Sequence, residues 1–140
     1  MADILVVSDA PWVRREVIAA LDDDTIREVE TGDAVPPAVR ERRPDLVITD
    51  LQVGSMGGMA ISLELRLEES GGRLPHVPVL MLCDRRADVF LARRSTAEGW
   101  LVKPLDSLRI RKAVRTLLAG GTFHDETYKP PTVEVADKAG

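Results

Sequence analysis

The run Asp45-Leu-Val-Ile-Thr-Asp50 is the clearest structural signal in this chain of 140 residues. Short runs that are rich in Val, Ile and Leu and bounded by Asp, Gly or Pro are typical of buried strands. This run ends in a carboxylate, and in open α/β sheets ligands bind at the carboxyl ends of the strands. The position therefore favours a chemical role for Asp50 over a role in the core.

Two further runs point to the same edge of the sheet. Ile4-Leu-Val-Val-Ser-Asp9 also ends in a carboxylate, and Gly99-Trp-Leu-Val-Lys-Pro104 ends in a lysine followed by a proline. If the three strands are parallel, their carboxyl ends lie together. We therefore expect two carboxylates and one ammonium group to converge at one edge.

Short apolar runs alternate with helical patterns along the chain. Strands are predicted at about residues 3–8, 25–30, 45–50, 77–82 and 99–102. Helices are predicted at about residues 11–21, 33–42, 57–69, 86–96 and 106–119. The second helix is the weakest prediction, because Pro36-Pro37 removes two backbone donors. Five such units predict a parallel sheet covered by helices on both faces, and periodicity alone leaves the strand order open.

The last part of the chain has a different character. From Gly120 the sequence is polar, contains Pro130-Pro131 and shows no sustained period. We expect residues 1–120 to form one domain and residues 121–140 to be a flexible C-terminal tail. The alternative is a segment that docks onto a partner through Phe123, Tyr128 or Val133.

The composition excludes several classes of protein. The formal net charge of −4 provides no basic footprint for nucleic acid, so direct DNA or RNA binding is not expected. The single cysteine, Cys83, excludes an internal disulfide framework and argues against a cysteine-rich zinc site. No apolar run reaches the roughly 18 residues that a membrane span needs, and the N-terminus lacks the features of a signal peptide. We therefore expect a cytoplasmic protein with no membrane association.

The residues at the predicted edge suggest a metal site. Two carboxylates held close together, Asp9 and Asp50, attract a hard divalent cation such as Mg²⁺, which prefers oxygen ligands and retains several waters. Lys103 is placed to pair with Asp50 or to hold an anionic group on it. The alternative is that Asp9 and Asp50 only cap the helices that follow them, while Lys103 pairs with one of them at the surface.

The order of these motifs resembles that of a response-regulator receiver domain, the phosphoacceptor module of two-component signalling. The resemblance runs from about Asp3 to Ala119. It rests on three motifs: the first strand and its acidic turn, the strand and loop Asp45 to Gly58, and Leu101-Val-Lys-Pro104. It implies a doubly wound (βα)5, flavodoxin-like fold with a parallel five-stranded sheet in the order 2-1-3-4-5. It also implies a stand-alone, atypical regulator, since barely twenty residues follow the receiver.

The resemblance also implies roles for individual residues. Asp50 would accept a phosphoryl group from a histidine kinase or a phosphotransfer protein. Mg²⁺ would be held by Asp9, Asp50 and the backbone carbonyl of Gln52. Lys103 would bind a phosphoryl oxygen, and Trp100 stands where the family has an aromatic whose ring moves on activation. A half-buried aromatic at a strand end is the alternative for Trp100.

Several residues depart from the family pattern around this site. Ser8 replaces the first of two adjacent acidic residues, which should lower the affinity for Mg²⁺. Cys83 replaces a Thr or Ser that hydrogen-bonds the phosphoryl group, and a thiol is a poor donor. Asp84 replaces a small residue and either repels a phosphoryl group or substitutes for the charge missing at Ser8. Glycines at 54, 57 and 58 should loosen the loop after Asp50.

The output is expected to be a protein contact. The fourth helix, fifth strand and fifth helix form the surface through which family members dimerise or bind targets, so a downstream protein or a homodimer would use it. Basic residues gather in those segments and suggest an acidic partner, with a solvated helix face as the alternative. They are Arg85, Arg86, Arg93, Arg94, Arg109, Arg111, Lys112 and Arg115.

Two other functions remain open at this point. One is a pseudo-receiver, a binding module that keeps the fold without phosphorylation; Ser8, Cys83 and Asp84 favour it. The other is a Mg²⁺-dependent aspartyl phosphatase or phosphotransferase. That protein would be an enzyme, whereas a receiver domain at most catalyses its own phosphorylation and dephosphorylation. Such an enzyme needs a general acid two residues after the nucleophile, and that position is Gln52.

Overall fold

Strands and helices alternate along the whole of the domain. The structure is a computed structural model that describes residues 1–54 and 56–125. The strands are β1 (Asp3–Val7), β2 (Thr25–Val29), β3 (Leu46–Asp50), β4 (Val79–Cys83), β5 (Gly99–Val102) and β6 (Phe123–His124). The helices are α1 (Pro11–Ala20), α2 (Val35–Glu41), α3 (Gly58–Ser70), α4 (Val89–Arg94) and α5 (Ser107–Leu118). Short 3-10 turns, Gly32–Ala34 and Arg86–Asp88, precede α2 and α4.

The strands form one parallel sheet in the order β2-β1-β3-β4-β5-β6. The predicted doubly wound fold and the order 2-1-3-4-5 are therefore confirmed for the first five strands. The order reverses at β1 and β3, and Asp50 is the last residue of β3. In folds of this type the reversal creates a crevice at the carboxyl ends of the strands. The fold thus places Asp50 at the crevice, as the sequence predicted.

Alternating side chains of the strands pack into separate hydrophobic cores on the two faces of the sheet. Ile4, Val6 and Ile48 pack on one face against α1 and α5. Leu5, Val7 and Val47 pack on the other against α2 and α3. All five residues of β3 and of β4 are buried, as expected for parallel strands covered on both sides. The central strands are thereby held firmly beneath the site.

Helix α2 forms despite its two prolines. Pro36 and Pro37 follow Val35, the first residue of the helix. In the first turn of a helix the backbone N–H groups have no intrahelical partner, so a proline there removes nothing that the helix needs. The helix buries Val35 and Val39 against the sheet. Position within the helix, not composition, makes the prolines tolerable.

The C-terminal segment differs from the sequence-based expectation. Phe123–His124 form β6, parallel to β5, with Gly99 opposite Phe123 and Trp100 opposite His124. Asp125 follows and is 3% exposed. The expected flexible tail from residue 121 is therefore wrong for residues 123–125, which complete the sheet edge. Residues 126–140, including Tyr128 and Val133, lie outside the described residues.

The helices of the described residues are short or amphipathic. None of them is long and apolar enough to cross a membrane.

Candidate functional site

Asp50 lies at the carboxyl end of β3 and is nearly buried, with 3% of the residue exposed. Its two carboxylate oxygens have different partners. The Lys103 ammonium Nζ lies 2.6 Å from Oδ1, and the Ser8 hydroxyl donates to Oδ2 at 2.6 Å. The backbone N–H of Ala10 donates to the same Ser8 hydroxyl at 3.1 Å. A charge-assisted bond on each oxygen stabilises a buried carboxylate in one orientation.

Lys103 contacts a second carboxylate as well. Its Nζ lies 2.6 Å from Asp84 Oδ1, and it sits 5.2 Å from the centroid of the Trp12 ring. Burial lowers the pKa of Lys103, but the hydrogen bonds and charges of Asp50 and Asp84 outweigh burial and raise that pKa overall. The ammonium group is therefore charged at neutral pH and shared between the ends of β3 and β4.

Asp9 lies at the end of β1 and is exposed. One of its oxygens, Oδ2, accepts a hydrogen bond from the backbone N–H of Gly54 at 3.0 Å. Gly54 has a φ of +37°, a backbone conformation that side-chain-bearing residues rarely adopt. The glycine thus brings the loop after β3 close to Asp9, on the same side of the site as Asp50.

The donor atoms in this region are hard oxygens. Among residues 1–54 and 56–125, no cluster of three or more His, Cys, Asp or Glu side chains is arranged to hold a metal ion. A cation here would be held by two carboxylates, Asp9 and Asp50, with a backbone carbonyl such as that of Gln52 and with water. Mg²⁺ commonly binds through one or two carboxylates and several waters, so the donor set fits that ion.

Cys83 is the last residue of β4 and is completely buried. Its side chain belongs to an apolar cluster that includes Leu51, Trp100 and Val102. Burial, reinforced by the charges of nearby carboxylates, raises the pKa of the Cys83 thiol to about 12. The thiol is therefore neutral at physiological pH, which argues against the redox role that an isolated cysteine beside a site suggests.

The start of α3 packs tightly against β3. A Cβ on Gly58 would lie 2.4 Å from the Asp50 carbonyl oxygen and 2.6 Å from the Met81 sulfur. The Gly58 N–H also donates to the Leu51 carbonyl at 2.8 Å. We expected this glycine to loosen the loop, and that expectation is wrong for Gly58. Its role is to allow the close approach of two backbones beneath the site.

Trp100 lies on β5, one strand beyond the site, and is 3% exposed. The His124 ring stacks on it with 4.1 Å between centroids and 5° between planes, and Arg93 lies 5.6 Å from the ring. Its indole Nε1 is buried without a hydrogen-bond partner among the described residues. The ring is thus covered by the C-terminal segment, in an environment that sequence reasoning did not anticipate.

The structure brings Asp9, Asp50 and Lys103 to one edge, as predicted from the ends of three strands. Two contacts were not predicted: the Ser8 hydrogen bond to Asp50, and the ion pair between Asp84 and Lys103. Ser8 directly follows β1 and Asp84 directly follows β4, so their positions at the edge could be predicted from the sequence. Which partners their side chains bind could be seen only in the structure.

A carboxylate at the crevice, a neighbouring lysine and a second carboxylate on a (βα)5 sheet are the features of a receiver domain. The family model described as response regulator receiver domain matches residues 4–115, and the chain belongs to this family. Receiver domains are signalling domains of two-component systems, where histidine kinases or phosphotransfer proteins are their partners. The match ends within α5, and β6 follows it in the chain.

Individual relatives agree with this assignment. The chain is 28% identical over 123 residues to protein PilH of Pseudomonas aeruginosa, across 86% of this chain and 100% of PilH. It is 27% identical over 133 residues to the nitrate/nitrite response regulator protein NarL of Escherichia coli, across 92% of this chain and 60% of NarL. The chain thus spans all of one relative and less than two thirds of the other.

A solved structure shows the same fold. The signal receiver domain of NarL from Mycobacterium tuberculosis superimposes with a TM-score of 0.72 at 27% identity, covering 85% of this chain and 97% of that domain.

Proposed function

We propose that this protein is a response regulator that accepts a phosphoryl group on Asp50 and signals through protein contacts. The observation that carries the proposal is the 2.6 Å contact between Asp50 Oδ1 and the Lys103 ammonium at the carboxyl end of the sheet. The contact places a nucleophilic carboxylate beside a fixed positive charge. This is the arrangement that an acceptor for an anionic group requires.

In the proposed reaction an oxygen of Asp50 attacks the phosphorus of a phosphohistidine on the partner kinase or phosphotransfer protein. An O–P bond forms, the P–N bond breaks, and the imidazole leaves with the electron pair. Lys103 then transfers its contact from the carboxylate to a phosphoryl oxygen. Ser8 continues to hold the other carboxylate oxygen and thereby keeps Asp50 oriented for attack.

We assign Asp9, Asp50 and the Gln52 carbonyl as the residues that would hold Mg²⁺. When bound, the ion would neutralise charge that develops on the transferring oxygens. Asp9 is suited to this role because its carboxylate is exposed and, among the residues that the structure describes, its one hydrogen bond comes from the backbone of Gly54. Ser8 supplies no charge, so we expect weaker Mg²⁺ binding than with an acidic residue there.

The output surface in this proposal is formed by α4, β5 and α5. Arg93, Arg94, Arg111 and Lys112 are exposed on the two helices, and Phe90 on α4 is 61% exposed. A surface with basic side chains around an exposed aromatic suits an acidic protein partner. A second copy of the chain is the alternative partner. Arg109, in contrast, turns towards the loop that carries Lys103.

A pseudo-receiver is the second candidate, and one observation favours it. Both oxygens of Asp50 are already bonded, and the residue at the end of β4 offers a neutral, buried thiol where a hydroxyl would bind a phosphoryl group. In that case Asp50 and Lys103 form a structural ion pair. The chain would then bind its partner constitutively.

Amide NMR spectra with beryllofluoride, which mimics a phosphoryl group on a carboxylate, distinguish these functions. Spectra are recorded for the protein alone, with Mg²⁺, and with Mg²⁺ plus beryllofluoride. We expect shifts at residues 9, 50–54 and 83–84 that extend to Trp100. Asp50→Asn is the matched control, because it keeps the shape of the side chain and removes the nucleophilic charge.

The two outcomes separate the candidates. Shifts that require beryllofluoride and disappear in Asp50→Asn support the phosphoacceptor. A folded protein that responds to neither addition contradicts it and leaves the constitutive binding module. Incubation with a histidine-phosphorylated transfer protein then tests the chemical step itself, as an increase in mass that is labile to alkali and hydroxylamine and that Asp50→Asn lacks.

A further inference from the structure

The loop that carries Lys103 is bound by one arginine on both sides of the lysine. Arg109 Nη2 donates to the carbonyl oxygen of Val102 at 3.0 Å, and Nη1 donates to that of Pro104 at 2.8 Å. These carbonyls belong to the residues directly before and after Lys103. The guanidinium group is planar and has donors in a fixed fork, so it defines the relative position of both acceptors.

Arg109 is in turn held by Asp125. The Arg109 Nη2 atom also pairs with Asp125 Oδ2. The same carboxylate oxygen accepts the backbone N–H of Val102 at 2.8 Å. Val102 therefore has its N–H bound by Asp125 and its carbonyl bound by Arg109. The Asp125 side chain is 2% exposed, so little of its charge is screened by solvent.

Strand β6 delivers Asp125 to this position. Phe123 and His124 pair in parallel with Gly99 and Trp100 on the free edge of β5. The His124 ring stacks on Trp100, and Phe123 packs against the core between the sheet and α5. Asp125 directly follows β6. Its side chain accepts a hydrogen bond from the backbone N–H of Val102, in place of a backbone carbonyl of a longer β6.

We propose that Asp125, acting with Arg109, is a positioning residue for Lys103 and therefore for the chemistry at Asp50. Both residues hold the backbone from which Lys103 reaches Asp50. The inference rests on the proposed function, because it assigns Lys103 a role on the phosphoryl group. It also extends the functional unit of this chain beyond residue 115, where the family match ends.

A purely structural role is the alternative, and a second ion pair on α5 separates the two. Arg115 pairs with Asp24 at 2.8 Å, and Asp24 also accepts a backbone N–H, that of Ala2, at 3.0 Å. The Asp24 side chain is 1% exposed. Asp24→Asn therefore removes an aspartate whose side chain is covered and has an α5 arginine and a backbone amide as partners. Asp125→Asn does the same, but at the Lys103 loop.

The experiment compares beryllofluoride and Mg²⁺ binding in the full chain, in Asp125→Asn and in Asp24→Asn. We expect Asp125→Asn to raise the dissociation constant for beryllofluoride about tenfold, since misplacement of a catalytic group by a fraction of an ångström has effects of this order. The affinity for Mg²⁺ should stay within about twofold, because Lys103 is not a metal ligand. Asp24→Asn should change neither constant.

A second readout makes the result independent of the phosphoryl site. The ¹⁵Nζ and Hζ signal of Lys103, assigned with Lys103→Arg, should shift in Asp125→Asn and stay unchanged in Asp24→Asn. If Asp125→Asn does not fold, Arg109→Lys replaces it. A lysine keeps the charge but cannot bind both carbonyls and the carboxylate in a fixed geometry.

Each outcome then has one meaning. Weaker beryllofluoride binding and a shifted Lys103 signal in Asp125→Asn alone support the inference. Unchanged beryllofluoride binding in Asp125→Asn overturns it, and so do equal losses in Asp24→Asn. If the unaltered protein does not bind beryllofluoride, the proposed function fails. The Lys103 signal then decides the positioning role by itself, and an unshifted signal in Asp125→Asn overturns it.

Discussion

Replacing Ser8 with aspartate would test how strongly a second carboxylate beside Asp50 destabilises the folded protein. The Ser8 hydroxyl lies 2.6 Å from Asp50 Oδ2, and Ser8 is completely buried while Asp50 is 3% exposed. Ser8→Asp places a second carboxylate against the first and removes the hydroxyl donor. Two unit charges about 4 Å apart repel by about 4 kcal/mol at an effective dielectric constant of about 20. We therefore expect the free energy of unfolding without metal to fall by roughly 2–4 kcal/mol.

Mg²⁺ should reverse this loss. A third carboxylate near the cation strengthens binding, and a ligand that binds only the folded state stabilises it by about 2.7 kcal/mol at 100 times its dissociation constant. We expect Ser8→Asp to bind Mg²⁺ at least about tenfold more tightly than the unaltered protein. At saturating Mg²⁺ most of the lost stability should return.

Urea unfolding monitored by circular dichroism at neutral pH, in EDTA and at saturating Mg²⁺, measures both effects. Ser8→Asn is the matched control, because its amide keeps a donor for Asp50 and adds no charge. The difference between the two variants isolates the electrostatic term. The reasoning is refuted if Ser8→Asp is as stable as Ser8→Asn in EDTA, or if Mg²⁺ stabilises both variants equally.

Three further predictions follow from the neighbouring residues. With a pKa of about 12, Cys83 should react with iodoacetamide at mildly alkaline pH roughly a thousandfold more slowly than in the urea-unfolded chain; similar rates, measured by mass spectrometry, would contradict its burial. Cys83→Thr should increase the shift of the Trp100 indole NMR signal on addition of beryllofluoride, because a hydroxyl donates a stronger hydrogen bond; an unchanged shift would show that the thiol does not limit the coupling between the site and Trp100. Asp9→Ala should weaken Mg²⁺ binding far more than Asp84→Ala, because Asp84 is already paired with Lys103; the reverse order in a Mg²⁺ titration would mean that the metal binds around Asp84.

The convergence of Asp9, Asp50 and Lys103 was predictable because it depends on few assumptions. Each residue lies at or just after the end of an apolar run, and parallel strands place such ends at one edge. Prediction of α2 was harder, because Pro36-Pro37 forbids a helix in most positions and favours one only in the first turn. The sequence shows the prolines clearly, but it does not show where the first turn falls.

The C-terminal strand could not be predicted from its own sequence. Two residues, Phe123 and His124, are too few for any hydrophobic period. Strand β6 is stable because β5 offers a free edge, Trp100 stacks on His124, and Arg109 pairs with Asp125. All three are tertiary contacts with residues that precede it in the chain. The polar composition that favoured a flexible tail is a correct description of the segment and a poor guide to its contacts.

The charges at the site suggest why Asp84 accompanies Ser8. With an acidic residue at position 8, as in the family pattern, the site would hold that residue, Asp9, Asp50 and one lysine, a net charge of −2. Here Ser8 removes one carboxylate at the end of β1, and Asp84 adds one at the end of β4, beside Lys103. The net charge of the site is the same, but one carboxylate lies beside Lys103 and not beside the proposed metal ligands. Long-range attraction for a divalent cation therefore persists, while the lysine must leave two carboxylates, not one, to bind a phosphoryl group. Under the proposed function, such a site would still attract Mg²⁺, although it would bind the ion more weakly than a site with an acidic residue at position 8. It would respond to phosphorylation only when the new anion outcompetes Asp84 for Lys103.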